Sequence, residues 1–215
     1  MRTVFLFSLF LSALAVNAQK TNFQHGYIII KGGDTLAGLV AWNKSRPGLG
    51  GLLYKKTESE NEQKFFWDDL KEAYNSESDQ MLKICTVKRH LEYIDNDYII
   101  QLKDSVIVQA IPLTPLMKGG KLSLYLFFDN SPFYFVYDGM NMFQLVQKYR
   151  YLTRTERMFD YERGRRFEIR DEFKGLLAAY YDFSEDKRMQ YILDNTLYEE
   201  RSLKYLISKM NKKMP

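Results

Sequence analysis

One histidine of this sequence stands close to several carboxyl groups, which is the pairing that general acid–base catalysis needs. The group consists of His90, Glu92, Asp95 and Asp97. An imidazole beside a carboxylate can take up and release a proton near neutral pH. The alternative is an ordinary surface histidine, which is the commoner role. His25, the second histidine, only precedes the first predicted strand.

A second group of carboxyl groups consists of Asp68, Asp69 and Glu72. Glycosidases use carboxyl groups at two positions, one as acid and one as base or nucleophile. Adjacent residues on a strand point to opposite faces, which weakens the pairing of Asp68 with Asp69. The alternative is negative charge at a helix start or in a solvated loop.

The motifs of common catalytic and cofactor sites are missing from the sequence. There is no H-E-x-x-H, C-x-x-C, G-x-S-x-G or G-x-G-x-x-G pattern. The glycine-rich run at 48–51 lacks the Lys-Ser/Thr of a phosphate-binding loop, and 95–97 lacks the glycine of a calcium loop. Cys85, the single cysteine, is expected to be a buried thiol because a nucleophile needs a nearby base. We therefore expect no catalytic residue, metal or cofactor.

A basic segment between residues 148 and 170 is the strongest charge feature of the chain. Its cations are Lys148, Arg150, Arg154, Arg157, Arg163, Arg165, Arg166 and Arg170. Arginine makes bidentate contacts with phosphates and carboxylates. The expected partner is an anionic envelope lipid, an acidic glycan or an acidic protein surface, and not nucleic acid. The alternative is a solvated connector whose four acidic residues pair internally.

Aromatic residues make up 15% of the chain and concentrate in a predicted hairpin over residues 122–137. Tyr125 and Phe127 alternate along one strand, and Tyr134 lies on the next. If these rings share an exposed face, that face could stack a sugar or a peptide. The alternative is a core of packed aromatic rings, because such side chains bury the most area per residue.

The first 18 of the 215 residues have the pattern of a secretory signal peptide. Arg2 supplies the positive charge, an uncharged apolar run follows, and Val16-Asn17-Ala18 provides small residues for cleavage. The run is shorter than the roughly 20 residues of a bilayer span, and we expect no transmembrane segment in the mature chain. Loss of Arg2 lowers the net charge from +4 to +3. We expect a periplasmic, secreted or surface-associated protein.

The periodicity of the mature chain changes along its length and predicts an α+β fold. Residues 19–138 form a β-rich part with short strands and frequent turns, which is typical of an antiparallel barrel or sandwich. Residues 139–215 form a helical part, which can share one domain with the first. In the β-rich part we expect a hairpin over 27–42, a strand interrupted near Lys103, and a hairpin over 122–137.

Several apolar stripes predict helices in the second part. One consists of Met142, Leu145, Val146 and Tyr149, a second runs from Ile169 to Tyr180, and a third consists of Leu203, Leu206, Ile207 and Met210. Ser184 and Thr196 are the predicted N-caps of the last two helices. Lysines end the last helix, where positive charge suits the helix dipole.

The first predicted hairpin resembles the start of a group of exported proteins common in Bacteroidota. The shared pattern is Gly26-Tyr27-Ile28-Ile29, then Gly33-Asp34-Thr35-Leu36 and Gly38. The strand Gly120–Tyr125 and the helical tail are also similar to that group. The resemblance implies a location in the cell envelope. It implies no activity and no catalytic residues, because the group has none assigned.

Together these features favour a non-enzymatic binding or interaction module of the cell envelope. A hydrolase of envelope sugars or peptides is an alternative, and it would need His90 or the Asp68 group at the floor of a cleft. A structural component of an envelope assembly is a further alternative.

Overall fold

The computed structural model describes residues 22–42, 50–94, 100–129, 131–151 and 167–214. Within these residues the fold is α+β, with antiparallel strands first and helices mainly at the C-terminal end. The strands are β1 (Gln24–Ile30), β2 (Thr35–Ala41), β3 (Leu52–Lys55), β4 (Gln63–Phe65), β5 (Leu70–Asn75), β6 (Gln80–Ile94), β7 (Ile100–Met117), β8 (Ser123–Asp129), β9 (Ser131–Tyr137), β10 (Met142–Leu145), β11 (Lys148–Tyr151) and β12 (Phe167–Arg170). The helices are α1 (Glu172–Ala178), α2 (Lys187–Asp194) and α3 (Glu200–Lys213).

Ten strands form one sheet in the order β10-β9-β8-β7-β6-β5-β1-β2-β3-β4, and β11 pairs with β12 separately. Every pairing is antiparallel. The predicted closed barrel is wrong, because β4 and β10 end the sheet and do not pair with each other. The predicted hairpin over 122–137 is confirmed as β8 and β9, which pair along their whole length.

The opposite faces of β6 contribute to two different cores, which explains why the sheet does not close. Leu82 packs in a first core with β1, β2, β3 and β5, whereas Val87 packs in a second core with β7, β8 and β9. An odd separation along a strand places two side chains on opposite faces. Each half of the sheet therefore curls around its own core, and its two ends lie apart.

The helices cover the other face of the β8–β9 hairpin and bury a third core against it. Leu124 and Val136 from the hairpin lie there with Leu203, Leu206 and Ile207 of α3, and all five are fully buried. The predicted apolar face of α3 is thus confirmed. Asn211 fixes the helix to the sheet, since its side chain bonds the Leu122 main chain on both sides, at 2.8 and 2.7 Å.

The predicted helix over residues 142–149 is wrong, since β10 and β11 occupy this region. Met142 packs against the second core and Leu145 is buried in the third. A strand that is buried on both faces needs no alternation of apolar and polar residues. Its apolar spacing can therefore imitate a helical stripe, and periodicity alone does not separate the two.

Other predicted element boundaries also differ from the structure. Ile169 lies in β12 and is half exposed, and α1 begins only at Glu172. Asp186, and not Ser184, caps α2, because its carboxylate accepts the Met189 N–H at 3.0 Å.

Two further points concern the predicted N-cap Thr196 and the predicted break near Lys103. Thr196 does not cap α3, whose N-cap is Glu199, and its hydroxyl donates to the Ile192 carbonyl at 2.7 Å. The predicted break near Lys103 is present as an irregularity of pairing: β7 continues through this point, but its register with β6 shifts, since Val106 pairs with His90 and Leu102 pairs with Glu92.

The hairpin of β1 and β2 shows why its glycines are needed. Gly26 pairs with Gly38, and a Cβ on Gly26 would stand 2.0 Å from the main-chain oxygen of Tyr74 in β5. Gly33 in the turn has φ +101°, a conformation that favours glycine. Gly26 is thus required by close packing and Gly33 by its backbone conformation.

Candidate ligand-binding cleft

A cleft of about 750 Å³ lies between β6 and β10. It forms because β5 pairs with β6 only as far as Lys83, and β10 approaches β6 without forming a ladder with it. The two strands are joined by a direct bond, in which the His90 N–H donates to Gln144 Oε1 at 2.8 Å. The cleft is therefore the gap left where the curled half of the sheet fails to close.

Apolar side chains make up about half of the cleft lining. They are Val87, Val106, Tyr137, Met140, Met142, Phe143, Val146 and Leu176. The remaining lining residues are Lys83, Cys85, Thr86, Lys88, His90, Asn141 and Gln144. Such a surface fits a ligand that has an apolar part beside a polar group.

Gln144 carries a buried hydrogen-bond donor that has no partner among the described residues. The residue is 8% exposed, and its Nε2 donates to no acceptor in that part of the chain. Because Oε1 accepts the His90 N–H, the orientation of the amide is fixed and Nε2 cannot exchange places with it. A buried donor without an acceptor costs roughly 1–3 kcal/mol. Gln144 lines the cleft, so a ligand oxygen that displaced the groups covering Nε2 would relieve that cost.

The charges of the cleft are positive. Lys83 and Lys88 line it, and there is no carboxylate among the described lining residues. The Lys83 ammonium stands 4.9 Å from the centre of the Tyr137 ring, which is a cation–π contact. The cleft therefore favours an anionic ligand over a cationic one.

The turn between β9 and β10 is held rigid at the mouth of the cleft. One oxygen of Asp138 accepts the N–H groups of Met140 and Asn141 at 2.9 and 2.7 Å, and the other accepts the Tyr180 hydroxyl at 3.2 Å. These bonds lower the pKa of Asp138, with the two main-chain donors as the largest cause. The turn presents Met140, which is 87% exposed, at the rim.

Cys85 lies in the cleft but lacks the geometry of a catalytic thiol. Burial raises the pKa of the thiol, and the positive charge of Lys83 opposes this only in part. His90 is five residues further along the same strand, a separation of roughly 16 Å at about 3.3 Å per residue. An imidazole at that distance cannot take the thiol proton, so the two residues do not form a dyad.

The predicted carboxylate group does not line the cleft. Asp68 and Asp69 are exposed on a single 3-10 turn, where Asp69 accepts the Phe66 N–H at 3.2 Å. Glu72 accepts the Tyr27 hydroxyl at 2.7 Å and thereby raises the pKa of that phenol to about 12. The carboxyl groups of Glu92, Asp95 and Asp97 lie outside the described part of the chain.

Most of the predicted basic segment lies outside the part of the chain that the structure describes. Arg154, Arg157, Arg163, Arg165 and Arg166 lie outside the described residues. Arg150 is the register partner of Glu168 in the β11–β12 pair, and Arg170 is the partner of Lys148 and is exposed. Lys148 forms an ion pair with Glu172 at 3.2 Å. A binding role of this segment remains a prediction.

The three aromatic residues expected to stack a ligand lie in the core. Tyr125, Phe127 and Tyr134 are 5%, 1% and 4% exposed. The first two pack in the second core, and Tyr134 packs edge-on against Tyr198 at 5.1 Å in the third. Both faces of the hairpin are covered, so these rings show no face to solvent, and the alternative of core packing describes them.

Sequence reasoning missed Lys83, Lys88 and Gln144 as site residues. They lie on strands that are more than fifty residues apart in sequence and meet only because the sheet curls. One local signal was present, since Gln144 is the single polar residue within the run Phe143–Val146. A polar side chain in a buried strand needs a partner, which marks such a position for attention.

The described residues contain no group of three or more His, Cys, Asp or Glu side chains that could hold a metal ion. No helix in this part of the chain is long and apolar enough to cross a membrane. No family model, no curated protein and no solved structure matches the chain.

Proposed function

We propose that this protein is an exported, non-enzymatic binding module of the cell envelope whose ligand enters the cleft between β6 and β10. The ligand carries an anionic group beside an apolar part. The observation that supports this most directly is the buried Nε2 of Gln144, which has no partner among the described residues, in a cleft whose described lining carries lysines and no carboxylate.

The arrangement suits binding because its polar groups are few and oriented. Lys83 and Lys88 provide attraction for an anion, and the fixed amide of Gln144 provides a donor for one ligand oxygen. The valines, methionines and aromatic rings provide area for the apolar part. Proposed export rests on the signal-peptide pattern of residues 1–18.

Binding is favoured over hydrolysis by the distances between the reactive groups. A hydrolase needs its nucleophile and base within hydrogen-bond reach of each other. Cys85 and His90 are separated by five strand residues, and the Asp68 group lies away from the cleft. The described residues of the cleft supply groups that hold a ligand but no such pair.

A fluorescent anion that combines a sulfonate with apolar rings, 8-anilinonaphthalene-1-sulfonate, tests this proposal. The double variant Lys83→Ala/Lys88→Ala removes the two cleft cations, and Lys31→Ala/Lys121→Ala removes two exposed lysines elsewhere as the matched control. Each partly exposed ion pair contributes roughly 0.2–1 kcal/mol, so two contribute roughly 0.4–2 kcal/mol. We expect about two- to thirtyfold weaker binding of the dye for the cleft variant and unchanged binding for the control. Equal affinities of both variants and the unmodified protein would show that the cleft is not an anion site.

A further inference from the structure

The edge of β6 that faces the cleft has main-chain groups without a partner. β6 pairs with β7 without interruption from Lys83 to His90, and with β5 only up to Lys83. In an antiparallel ladder, the N–H and C=O groups of successive residues alternate between the two sides of a strand. The His90 N–H donates to Gln144 on β10 and therefore points away from β7.

The same two-residue period directs the N–H and C=O groups of Thr86 and Lys88 into the cleft. Among the described residues, no ladder pairing and no other main-chain bond engages these groups. The lining supports this geometry, because Cys85 and Val87 face one side of the sheet and Thr86 and Lys88 the other, yet all four line the cleft. A strand seen from its edge exposes residues of both faces.

We propose that an extended, acidic segment of a partner protein adds to this edge of β6 as a further strand. The inference rests on the proposed function, because it names the class of ligand that the same cleft takes. An unpaired edge is a template for a new strand, and strand addition obtains affinity from main-chain bonds and specificity from alternate side chains.

The cleft indicates the chemistry of the added strand. Five residues separate Lys83 and Lys88, so the two lysines lie on opposite faces of β6, and Val87 shares the face of Lys83. With no described carboxylate in the lining, Lys88 favours acidic side chains on one face of the segment, and Val87 favours apolar side chains on the other. The Nε2 of Gln144 can donate to a main-chain carbonyl of the segment, which supplies the acceptor that this buried amide lacks. From Lys83 to Lys88 the edge measures roughly 16 Å, the length of about five extended residues.

The first experiment uses an acetylated and amidated hexapeptide of alternating Glu and Val as the probe. Displacement of 8-anilinonaphthalene-1-sulfonate from the unmodified full chain reports its binding. Two matched peptides carry N-methyl groups on alternate amides, one on the odd and one on the even positions. Their charges and side chains are unchanged, but each has lost the donors along one edge. We expect one isomer to bind at least tenfold more weakly and the other to retain binding.

The second experiment changes the protein. Thr86→Pro removes an N–H that lies outside the β6–β7 ladder and places a ring on the edge, whereas Thr86→Ala keeps the N–H. We expect the proline variant to bind the hexapeptide at least tenfold more weakly than the alanine variant does, because the two changes differ in the main-chain N–H. Each peptide affinity is corrected for that variant's own affinity for the dye. If the proline variant does not fold, strand addition is tested by the affinities of the unmodified protein for the two N-methylated peptides.

Equal binding of both N-methylated isomers, or no loss in a folded Thr86→Pro variant, overturns strand addition. A hexapeptide that fails to displace the dye, while dye binding still requires Lys83 and Lys88, also overturns it and leaves the proposed function standing. If Lys83→Ala/Lys88→Ala binds the dye as tightly as the unmodified protein does, the proposed function itself is overturned. Sedimentation of the protein gives one more outcome. If it sediments as a dimer that Thr86→Pro dissociates and the hexapeptide does not, the edge belongs to a second copy of this chain, and the acidic partner is overturned.

Discussion

Gln144→Glu is the sharpest perturbation of the cleft because it changes one atom of the side chain. The glutamate keeps an oxygen that can accept the His90 N–H, now 2.8 Å from Oε1, but it replaces the Nε2 donor with a second oxygen. The shape of the side chain and its anchor to β6 are thus preserved. Only the group that we assign to the ligand is altered.

The expected loss has two parts. Removing a hydrogen bond to the ligand costs roughly 1 kcal/mol. An ionised carboxylate beside the ligand anion adds roughly 1–4 kcal/mol of repulsion at about 4 Å, between the limits of water-like and protein-like screening. The sum predicts a dissociation constant for 8-anilinonaphthalene-1-sulfonate that is about 30-fold or more above that of the unmodified protein.

The assay is a fluorescence titration with the dye from pH 8 to pH 5, where its sulfonate stays charged. Burial disfavours the ionised form of a carboxyl group and raises its pKa. As the pH falls, the new glutamate takes up a proton, becomes a donor again and loses its charge. We therefore expect the ratio of the two dissociation constants to shrink toward one at low pH.

A ratio of one at every pH would refute the assignment, since it would mean that Nε2 does not contact the bound anion. A large ratio that does not change with pH would refute the electrostatic reasoning. Thermal unfolding of both proteins without the dye serves as the control for folding.

Three further predictions concern the fold and are measured by thermal unfolding. Asp186→Asn should lower the melting temperature at neutral pH, because Lys213 and a main-chain donor hold the pKa of Asp186 at about 2 instead of 3.8. That contribution is complete above pH 3.8 and is lost as the pH falls toward 2, so the difference should vanish there. Leu206→Ala should cost roughly 2–5 kcal/mol, because the side chain is fully buried. Gly26→Ala should destabilise strongly, since its Cβ would stand 2.0 Å from a main-chain oxygen, whereas Gly175→Ala, which meets nothing within 4 Å in α1, should stabilise by roughly 0.5–1 kcal/mol.

Each of these predictions has a result that would contradict it. A constant effect of Asp186→Asn from pH 7 to pH 2 would mean that the carboxylate charge is not its cause. A cost below about 1 kcal/mol for Leu206→Ala would mean that α3 packs loosely on the hairpin. Equal effects of the two glycine changes would show that β1 tolerates a side chain against β5.

Several elements could be predicted from the sequence because local chemistry decides them. The Gly33 turn requires a positive φ, and the apolar face of α3 follows from helical spacing. The hairpin of β8 and β9 follows from two apolar runs separated by turn residues. By contrast, the apolar spacing of β10 predicts a helix, because side chains on both of its faces pack against a core, which removes the alternation that identifies a strand.

The candidate site was harder to predict than the fold. The predicted aromatic residues Tyr125, Phe127 and Tyr134 were chosen for their type, and an aromatic ring serves a core as well as it serves a ligand. The cleft instead depends on a lysine pair and one amide whose types are unremarkable. Their significance comes from the missing ladder between β6 and β10.

The sequence by itself determined the α+β class, the order of strands before helices and the export pattern of residues 1–18 as an expectation. Tertiary structure alone decided that the sheet stays open, that β6 has an edge without a ladder partner among the described strands, and that Gln144 lines a cleft with a buried donor that has no acceptor in the described part of the chain. The physical reason is that periodicity records which faces of a strand are buried. It does not record which strand edges meet, because main-chain groups are the same in every residue except proline.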